Sequence, residues 1–369
     1  MKIGIPREVK NHEYRVACTP AGVRELVARG HEVFLEAGAG AGSAFEDAAY
    51  GYVGARVLPT ADEVWAAADL VLKVKEPVAE EYSRMRAGQM LFTYLHLAAS
   101  RECTDALLTS GVTALAYETV TGRDGGLPLL APMSEVAGRL APQAGAYHLM
   151  RSEGGRGVLM GGVPGVRPAK VVVLGAGVAG RNAIAVAVGM RAEVTVLDVN
   201  IARLREVDEQ YHGHVRTVVS NALEVENLVR EADLVIGAVL VPGAKAPELV
   251  SHDLVAQLKP GSVLVDIAID QGGCFADSRP TTHAEPTYRV HDSVFYCVAN
   301  MPGAVPNTST VALTNATLPY VIAVAERGWR AAAAADPGLA AGLSTHEGML
   351  LSESVAAAHG YTAERLVAA

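Results

Sequence analysis

Three glycines in the middle of the chain stand at a spacing that serves a known chemical purpose. Gly175, Gly177 and Gly180 form G-x-G-x-x-G directly after the β-branched apolar run Val171–Leu174. At this spacing the first glycine permits a tight turn, the second lets the backbone approach a pyrophosphate, and the third allows a helix to pack closely on a strand. The pattern therefore predicts a dinucleotide-binding loop between a buried strand and a helix.

The residues after the glycines complete the unit that such a loop requires. A helix is predicted over Val178–Val188, and its free amino-terminal N–H groups suit a phosphate. A second strand, Glu193–Leu197, ends at Asp198, about 20 residues beyond the loop, where a carboxylate accepts hydrogen bonds from ribose hydroxyls. Because Asp198 repels a 2′-phosphate, the sequence favours NAD over NADP, although Arg203 and Arg205 follow and offset part of that repulsion.

Four polar residues elsewhere have the side chains that hydride transfer from an amino or hydroxy acid needs. A cation must hold the substrate carboxylate, an acid–base group must move a proton, and a carboxylate can stabilise an iminium-like intermediate. Arg15 and Lys75 supply the cations, His96 the acid–base group and Asp270 the carboxylate. The last three are predicted at strand ends. In two-domain α/β dehydrogenases the substrate lies at such ends, in the cleft between the domains.

Each of these residues also has an ordinary structural alternative. Lys75 is predicted to share one face of the strand L-V-L-K-V-K with Lys73, and a lysine there must be paired, face a cleft or extend past the strand end to solvent. A lone histidine is more often structural, and Arg15 alone would be a surface charge. Asp270, predicted on the same strand face as Asp266, can cap a turn. The four residues together, rather than any single one, indicate the chemistry.

Composition limits the classes of function. The net charge of −9 leaves no general basic surface for nucleic acid or anionic lipid. The four cysteines are far apart and indicate reduced thiols, while the H-x-H pair His212 and His214 lacks further ligands, so no metal site is predicted. The amino terminus lacks the apolar core of a signal peptide, and the apolar stretch Leu234–Val241 is shorter than the about 18 residues of a membrane span. A soluble cytoplasmic protein is predicted.

The elements that must position these residues alternate between strands and helices. An α/β unit precedes the glycine motif, from a strand at Lys2–Pro6 to one at Thr113–Ala116. Within it the glycine-rich Ala37–Ser43 resembles a phosphate loop, but no helix and acid-terminated strand follow, so a structural turn is predicted. The turn-rich Gly122–Pro128 ends this unit. A helical pattern over Ser309–Trp329 is expected to return and pack on the first domain.

The predicted architecture has two domains, as the length of 369 residues suggests at roughly 150 residues per domain. The fold class is α/β, with two Rossmann-like, doubly wound parallel-sheet domains. The NAD-binding domain, residues 129–307, is inserted into a discontinuous substrate domain formed by residues 1–128 and 308–369.

Long motifs throughout the chain resemble those of the bacterial alanine dehydrogenases. The resemblance includes G-I-P-R-E-V-K-N-H-E-Y-R-V-A-C-T-P, V-L-K-V-K-E-P, L-F-T-Y-L-H-L-A and A-P-M-S-E-V-A-G-R-L-A. It also includes V-L-G-A-G-V-A-G, D-I-A-I-D-Q-G-G-C, R-P-T-T-H and Y-C-V-A-N-M-P-G-A-V-P. His12 stands where the family usually has asparagine, while Glu13 and Arg15 are kept. The tail after Ala331 resembles the family less.

The resemblance implies reversible oxidative deamination, in which L-alanine, NAD⁺ and water give pyruvate, ammonium and NADH. It implies that Arg15 and Lys75 bind the substrate carboxylate and carbonyl oxygen, with Asn300 also binding substrate. His96 is then the proton donor and acceptor, and Asp270 assists the imine and carbinolamine steps. A homohexamer is also implied. The family positions expected to bind cofactor are Ser134, Gly175, Gly177, Val178, Gly180, Asp198, Arg203, Ser220, Val239, Ile267, Asp270 and Met301.

Three other functions compete with this one. The NAD(H)-binding component of the proton-translocating transhydrogenase resembles the same motifs but lacks the histidine of L-H-L-A, which is His96 here. A saccharopine-type dehydrogenase would use a larger amino acid. A non-catalytic NAD-sensing module would not need Lys75, His96 and Asp270 together. The sequence therefore favours an NAD-dependent amino-acid dehydrogenase with small-molecule substrates.

Overall fold

The chain forms two compact units in a computed structural model that describes residues 1–239 and 246–366. One unit comprises Met1–Met133 and Val305–Ala369, and the other comprises Ser134–Ala304. The end of the predicted apolar stretch Leu234–Val241 lies outside the described residues, as do the last three residues of the predicted substrate domain.

The helices and strands follow one another along the whole chain. The strands are β1 (Lys2–Ile5), β2 (Glu32–Glu36), β3 (Arg56–Leu58), β4 (Leu70–Leu72), β5 (Met90–Thr93), β6 (Thr113–Ala116), β7 (Lys170–Leu174), β8 (Glu193–Asp198), β9 (Arg216–Val219), β10 (Leu234–Gly237), β11 (Val263–Asp266), β12 (Thr287–Val290), β13 (Ser293–Tyr296), β14 (Leu343–His346) and β15 (Met349–Leu350). The helices are α1 (Pro20–Ala28), α2 (Asp47–Tyr52), α3 (Ala61–Ala67), α4 (Arg101–Ser110), α5 (Ala131–His148), α6 (Val178–Gly189), α7 (Ile201–Tyr211), α8 (Ala222–Arg230), α9 (His252–Val255), α10 (Pro306–Ala335), α11 (Pro337–Ala340) and α12 (Glu353–His359).

The first unit is built on a sheet of order β15-β14-β6-β5-β4-β1-β2-β3. Its strands pair in parallel from β6 to β3, whereas β14 and β15 add an antiparallel edge. Because parallel neighbours end on the same side, the loops after β1, β4, β5 and β6 leave the sheet at one edge. This edge collects the polar residues that the sequence singled out in this unit.

The second unit is built on a sheet of order β12-β13-β11-β10-β7-β8-β9. All neighbours pair in parallel except β12 with β13. Apolar clusters cover both faces, one around Val171 and Ile184 and the other around Val172 and Val229. The predicted α/β class with Rossmann-like parallel sheets is confirmed.

Two predicted strands end earlier than the sequence suggested. Strand β4 ends at Leu72, so the expected alternation that put Lys73 and Lys75 on one face does not apply. Strand β11 ends at Asp266, and Asp270 lies in the 3₁₀ turn Ile269–Gln271 rather than on a strand face with Asp266. Both predictions were wrong because the chain leaves regular strand geometry after Leu72 and Asp266, although single backbone bonds such as Lys73 N to Phe92 O at 3.3 Å continue.

Helix α10 was not recognised in full from the sequence. By length and composition it is long and apolar enough to cross a membrane, with 44% of its most apolar window buried inside the fold. Leu313, Val321 and Val324 join the core of the first unit, and Thr310 Oγ1 accepts from Val16 N at 3.1 Å. A kink at Gly328 (φ 74°) also interrupts it. These contacts are those of a helix that belongs to a core.

The close approach of α6 to β7 gives a prediction about stability. A Cβ atom at Gly180 would lie 1.8 Å from Gly175 O, whereas a Cβ at Gly189, at the end of the same helix, meets nothing within 4 Å. Gly180→Ala should therefore lower the free energy of unfolding by about 1–3 kcal/mol or more. Gly189→Ala should leave it within about 1 kcal/mol or raise it. Equal urea midpoints for the two variants would contradict this packing.

Candidate active site

The glycine motif of the second unit leaves space where a ligand is expected. Gly175 has φ 104°, and its N–H donates to Leu197 O at 2.7 Å. Gly180 lies where helix α6 packs directly against the glycine loop. At Gly177, by contrast, an added Cβ would find Arg203 Nη1 as its nearest described neighbour, at 4.0 Å. The protein itself therefore does not need glycine at 177, whereas a pyrophosphate passing over this backbone would.

Asp198, at the end of β8, holds the glycine loop. Its Oδ2 accepts from Ala176 N at 2.7 Å, and its Oδ1 accepts from Asn200 N at 2.8 Å. Arg203 Nη1 lies 3.7 Å from Oδ2, and Ser220 N donates to the Asp198 carbonyl at 3.0 Å. Helix α6 begins after Gly177 with no side-chain cap, so its first N–H groups remain available to a phosphate. These residues fit a dinucleotide with an unmodified ribose.

The loop after β11 carries Asp270 and is tied down by Asp266. Asp266 Oδ1 accepts from Ala268 N at 3.0 Å, while Oδ2 accepts from Cys274 N at 2.7 Å and from Ser278 Oγ at 2.5 Å. Burial raises the pKa of Asp266, and these hydrogen bonds offset part of the rise. Asp270 is exposed, so its carboxylate faces solvent at the carboxyl edge of the sheet.

The other predicted residues of the second unit have different settings. Asn300 has the left-handed φ of 64°, and its carbonyl lies 3.1 Å from His283 Nε2. Met301 is buried at the start of the 3₁₀ turn Met301–Ala304. Ser134 is half-buried on α5. Three further positions lie around the loop or the neighbouring strand ends. They are Val178, which is 39% exposed, Val239, which lies beside Gly175, and Ile267, whose N–H donates to Gly237 O at 2.9 Å.

Arg15 is buried in the first unit, which excludes the surface-charge alternative. Only 2% of it is exposed, and its guanidinium is held by Glu13, with Nε to Oε1 at 2.7 Å and Nη2 to Oε2 at 2.5 Å. Nη1 lies 3.0 Å from Met133 Sδ. Burial alone would lower the pKa of Arg15, but Glu13 more than offsets this and raises it. The guanidinium is therefore a fixed cation with a defined orientation.

Lys75 lies beside a buried ion cluster that the sequence did not reveal. Lys73, fully buried, places Nζ 3.1 Å from Glu8 Oε2 and 2.8 Å from Glu81 Oε1. Burial alone would lower the pKa of Lys73, but the two carboxylates raise it. Glu8 Oε1 also accepts from Val74 N at 2.5 Å and from Lys75 N at 3.4 Å. The loop is thus fixed, while the Lys75 side chain is half-buried.

His96 follows β5 in a strained backbone conformation. Its φ of 47° lies in the left-handed region that non-glycine residues rarely adopt. Glu118 Oε1 accepts from His96 N at 2.6 Å, and the Tyr94 ring stacks near the imidazole at 5.8 Å between centroids. The His96 side chain is 40% exposed, so a substrate can reach it.

The structure thus groups the predicted residues by unit. Arg15, Lys75 and His96 lie in loops at or near one edge of the first sheet, and Gly175, Asp198, Arg203, Ser220 and Val239 gather in the second unit. Sequence reasoning missed the carboxylates that hold these groups, namely Glu8, Glu13 and Glu118. The sequence offered one indication of the carboxylates around Lys73. A lysine at the end of an apolar strand is buried, and a buried lysine requires a partner.

Comparisons with known proteins agree with this geometry. Family models described as "Alanine dehydrogenase/PNT, N-terminal domain" and "Alanine dehydrogenase/PNT, C-terminal domain" match residues 4–137 and 141–353. A protein named alanine dehydrogenase from Mycolicibacterium smegmatis is 68% identical over 356 residues, which are 96% of each chain. A solved L-alanine dehydrogenase is 51% identical with a TM-score of 0.94, covering 98% of this chain and 99% of that one. A transhydrogenase from Sinorhizobium meliloti is 28% identical with a TM-score of 0.82, covering 96% and 100%.

The Lys73 cluster gives a prediction about stability. Lys73→Met leaves Glu8 and Glu81 buried without their cation, and should lower the free energy of unfolding by about 3–5 kcal/mol. Lys170→Met removes a lysine from an exposed pair with Glu231 and should leave the unfolding midpoint almost unchanged. Urea unfolding of both variants checks this. Similar midpoints for Lys73→Met and Lys170→Met would show that the buried cluster adds no more than a surface pair.

Proposed function

The chain belongs to the alanine dehydrogenase/PNT family, and we propose that it catalyses the reversible NAD-dependent oxidative deamination of L-alanine to pyruvate and ammonium. One observation carries the proposal beyond family membership. The first unit presents Arg15, Lys75 and His96 in loops near the carboxyl ends of neighbouring parallel strands, as an amino-acid substrate requires. The second unit carries a dinucleotide fingerprint with an acidic strand end, Asp198.

The cofactor of the proposed reaction is NAD. Gly177 and the start of α6 would hold its pyrophosphate, Asp198 its adenosine ribose, and Arg203 and Ser220 lie next to that carboxylate. When bound, the nicotinamide supplies a two-electron acceptor for a hydride from the substrate Cα. The other residues proposed to contact the cofactor are Ser134, Gly175, Val178, Gly180, Val239, Ile267, Asp270 and Met301.

The residues of the first unit would bind the substrate and move its protons. Arg15, oriented by Glu13, binds the substrate carboxylate through its positive charge, and Lys75 binds the oxygen that becomes the pyruvate carbonyl. Loss of a hydride from Cα and of one proton from the substrate ammonium group to solvent gives the protonated imine. His96 accepts a proton from the water that adds to this imine and returns it to the amino group of the carbinolamine. The C–N bond then breaks, and the departing ammonia takes the hydroxyl proton, which leaves pyruvate and ammonium. Asp270 stabilises the cationic imine, and Asn300 contributes to substrate binding.

The setting of the enzyme is part of the proposal. We infer cytoplasmic action on small molecules, since all four cysteines are buried and unpaired, as a reducing compartment favours. A homohexamer follows from family resemblance. The transhydrogenase-like alternative is less well supported, because the solved transhydrogenase is 28% identical to this chain whereas the solved L-alanine dehydrogenase is 51% identical.

Two parallel assays of NADH oxidation test the proposed function. NADH absorbance should fall with pyruvate and ammonium together and stay constant with pyruvate alone, because the hydride acceptor is the imine. Oxidation with pyruvate alone would indicate a 2-hydroxy acid dehydrogenase. No oxidation in either assay, with NADH still bound, would favour a transhydrogenase-like or sensing role.

Asp198 gives a prediction about cofactor choice. Asp198→Ala removes the charge that repels a 2′-phosphate. It should therefore lower the ratio of kcat/KM for NAD to kcat/KM for NADP by roughly tenfold or more. The ratio is the readout because loss of the bonds to Ala176 N and Asn200 N weakens both cofactors. An unchanged ratio would mean that other groups read the ribose.

A further inference from the structure

We propose that Glu118 is the positioning residue of His96, an inference that rests on the function proposed above. Glu118 lies in the 3₁₀ turn Tyr117–Thr119, directly after β6. Strands β5 and β6 pair in parallel, with Thr93 opposite Ala116. The two loops therefore leave neighbouring strands side by side, and the carboxylate of one reaches the backbone of the other.

The carboxylate of Glu118 binds two successive amides of the His96 loop. Leu95 N donates to both oxygens, at 3.1 and 3.2 Å, and His96 N donates to Oε1 at 2.6 Å. Successive N–H groups that converge in this way form a concave anion site. Hydrogen bonds to an ionised acceptor are stronger than those to a neutral one, so this contact defines the path of the loop.

The contact explains how His96 keeps an unfavourable backbone conformation. A histidine at φ 47° persists only where its surroundings fix it, and its own N–H makes a short bond to Glu118, at 2.6 Å. The imidazole is limited on one side by the Tyr94 ring, whose plane is 11° from its own. Tyr94 is in turn anchored by its hydroxyl, which donates to Leu129 O at 2.5 Å.

Glu118 acts through the backbone rather than as a proton relay. The distance from His96 Nδ1 to Glu118 Oε1 is 4.0 Å, which is too long for a hydrogen bond. Glu76 also interacts electrostatically with His96, and His359 Nε2 lies 2.7 Å from Leu97 O, but of these residues it is Glu118 that bonds to the His96 backbone. Removal of its charge should displace the imidazole without removing any group that binds substrate or cofactor.

Glu118→Gln tests the proposal, since it keeps the size of the side chain and removes its charge. Turnover per bound NADH should fall roughly 10–100-fold, because a shift of about 1 Å at a reacting group has this effect. KM for pyruvate and the affinity for NADH should stay within about twofold. Glu118→Asp restores the charge and should recover part of the loss. Glu36→Gln is the matched control, because Glu36 also accepts a backbone N–H, from Arg7 at 2.8 Å, and it should keep wild-type turnover.

A double-mutant cycle separates positioning from general damage. In a His96→Ala background, Glu118→Gln should change the residual activity less than about twofold, because the group it positions is gone. Wild-type turnover in Glu118→Gln, or an equal loss in both backgrounds, would overturn the proposal. If Glu118→Gln does not fold, a Glu118→Asp variant that folds with unchanged turnover in both backgrounds would overturn it as well. Wild-type enzyme inactive with pyruvate and ammonium would instead reject the proposed function.

Discussion

Buried and half-buried carboxylates that bind pairs of backbone amides hold the loops that carry the proposed site residues. Glu8 accepts from Val74 and Lys75, and Glu118 accepts from Leu95 and His96. The second unit uses the same interaction at the ends of β8 and β11. A loop after a parallel strand has amides without ladder partners, and burial of such amides costs free energy unless an acceptor reaches them. An ionised acceptor satisfies two at once and fixes the loop.

Neighbouring carboxylates also pair with the cations of these loops to different extents. Lys73 is fully buried and paired with both Glu8 and Glu81. Arg15 is oriented by Glu13 rather than left to rotate. Lys75, two residues after Lys73, has its amide fixed while its side chain is half-buried. The placement of acceptors thus separates the fully paired Lys73 from Lys75, one of the cations proposed to bind substrate.

The sequence allowed the parts set by local pattern to be predicted, and missed the parts set by distant contacts. The glycine spacing, the strand before it and Asp198 lie within one βαβ unit, so their arrangement follows from short-range rules. The pairs Lys73–Glu8 and His96–Glu118 join residues in the loops after separate strands, and no spacing rule connects them. The ends of the strands, misplaced at Lys75 and Asp270, likewise depend on contacts with distant parts of the chain rather than on local pattern.

In the proposed reaction a hydride and an amino group reach the same carbon of the substrate. The most direct measurement incubates the enzyme with NADH dideuterated at C4 of the nicotinamide, pyruvate and nitrogen-15 ammonium, followed by mass spectrometry of the product. The expected product is L-alanine that carries one deuterium at Cα and nitrogen-15. Deuterated lactate, or alanine without deuterium, would contradict this reaction.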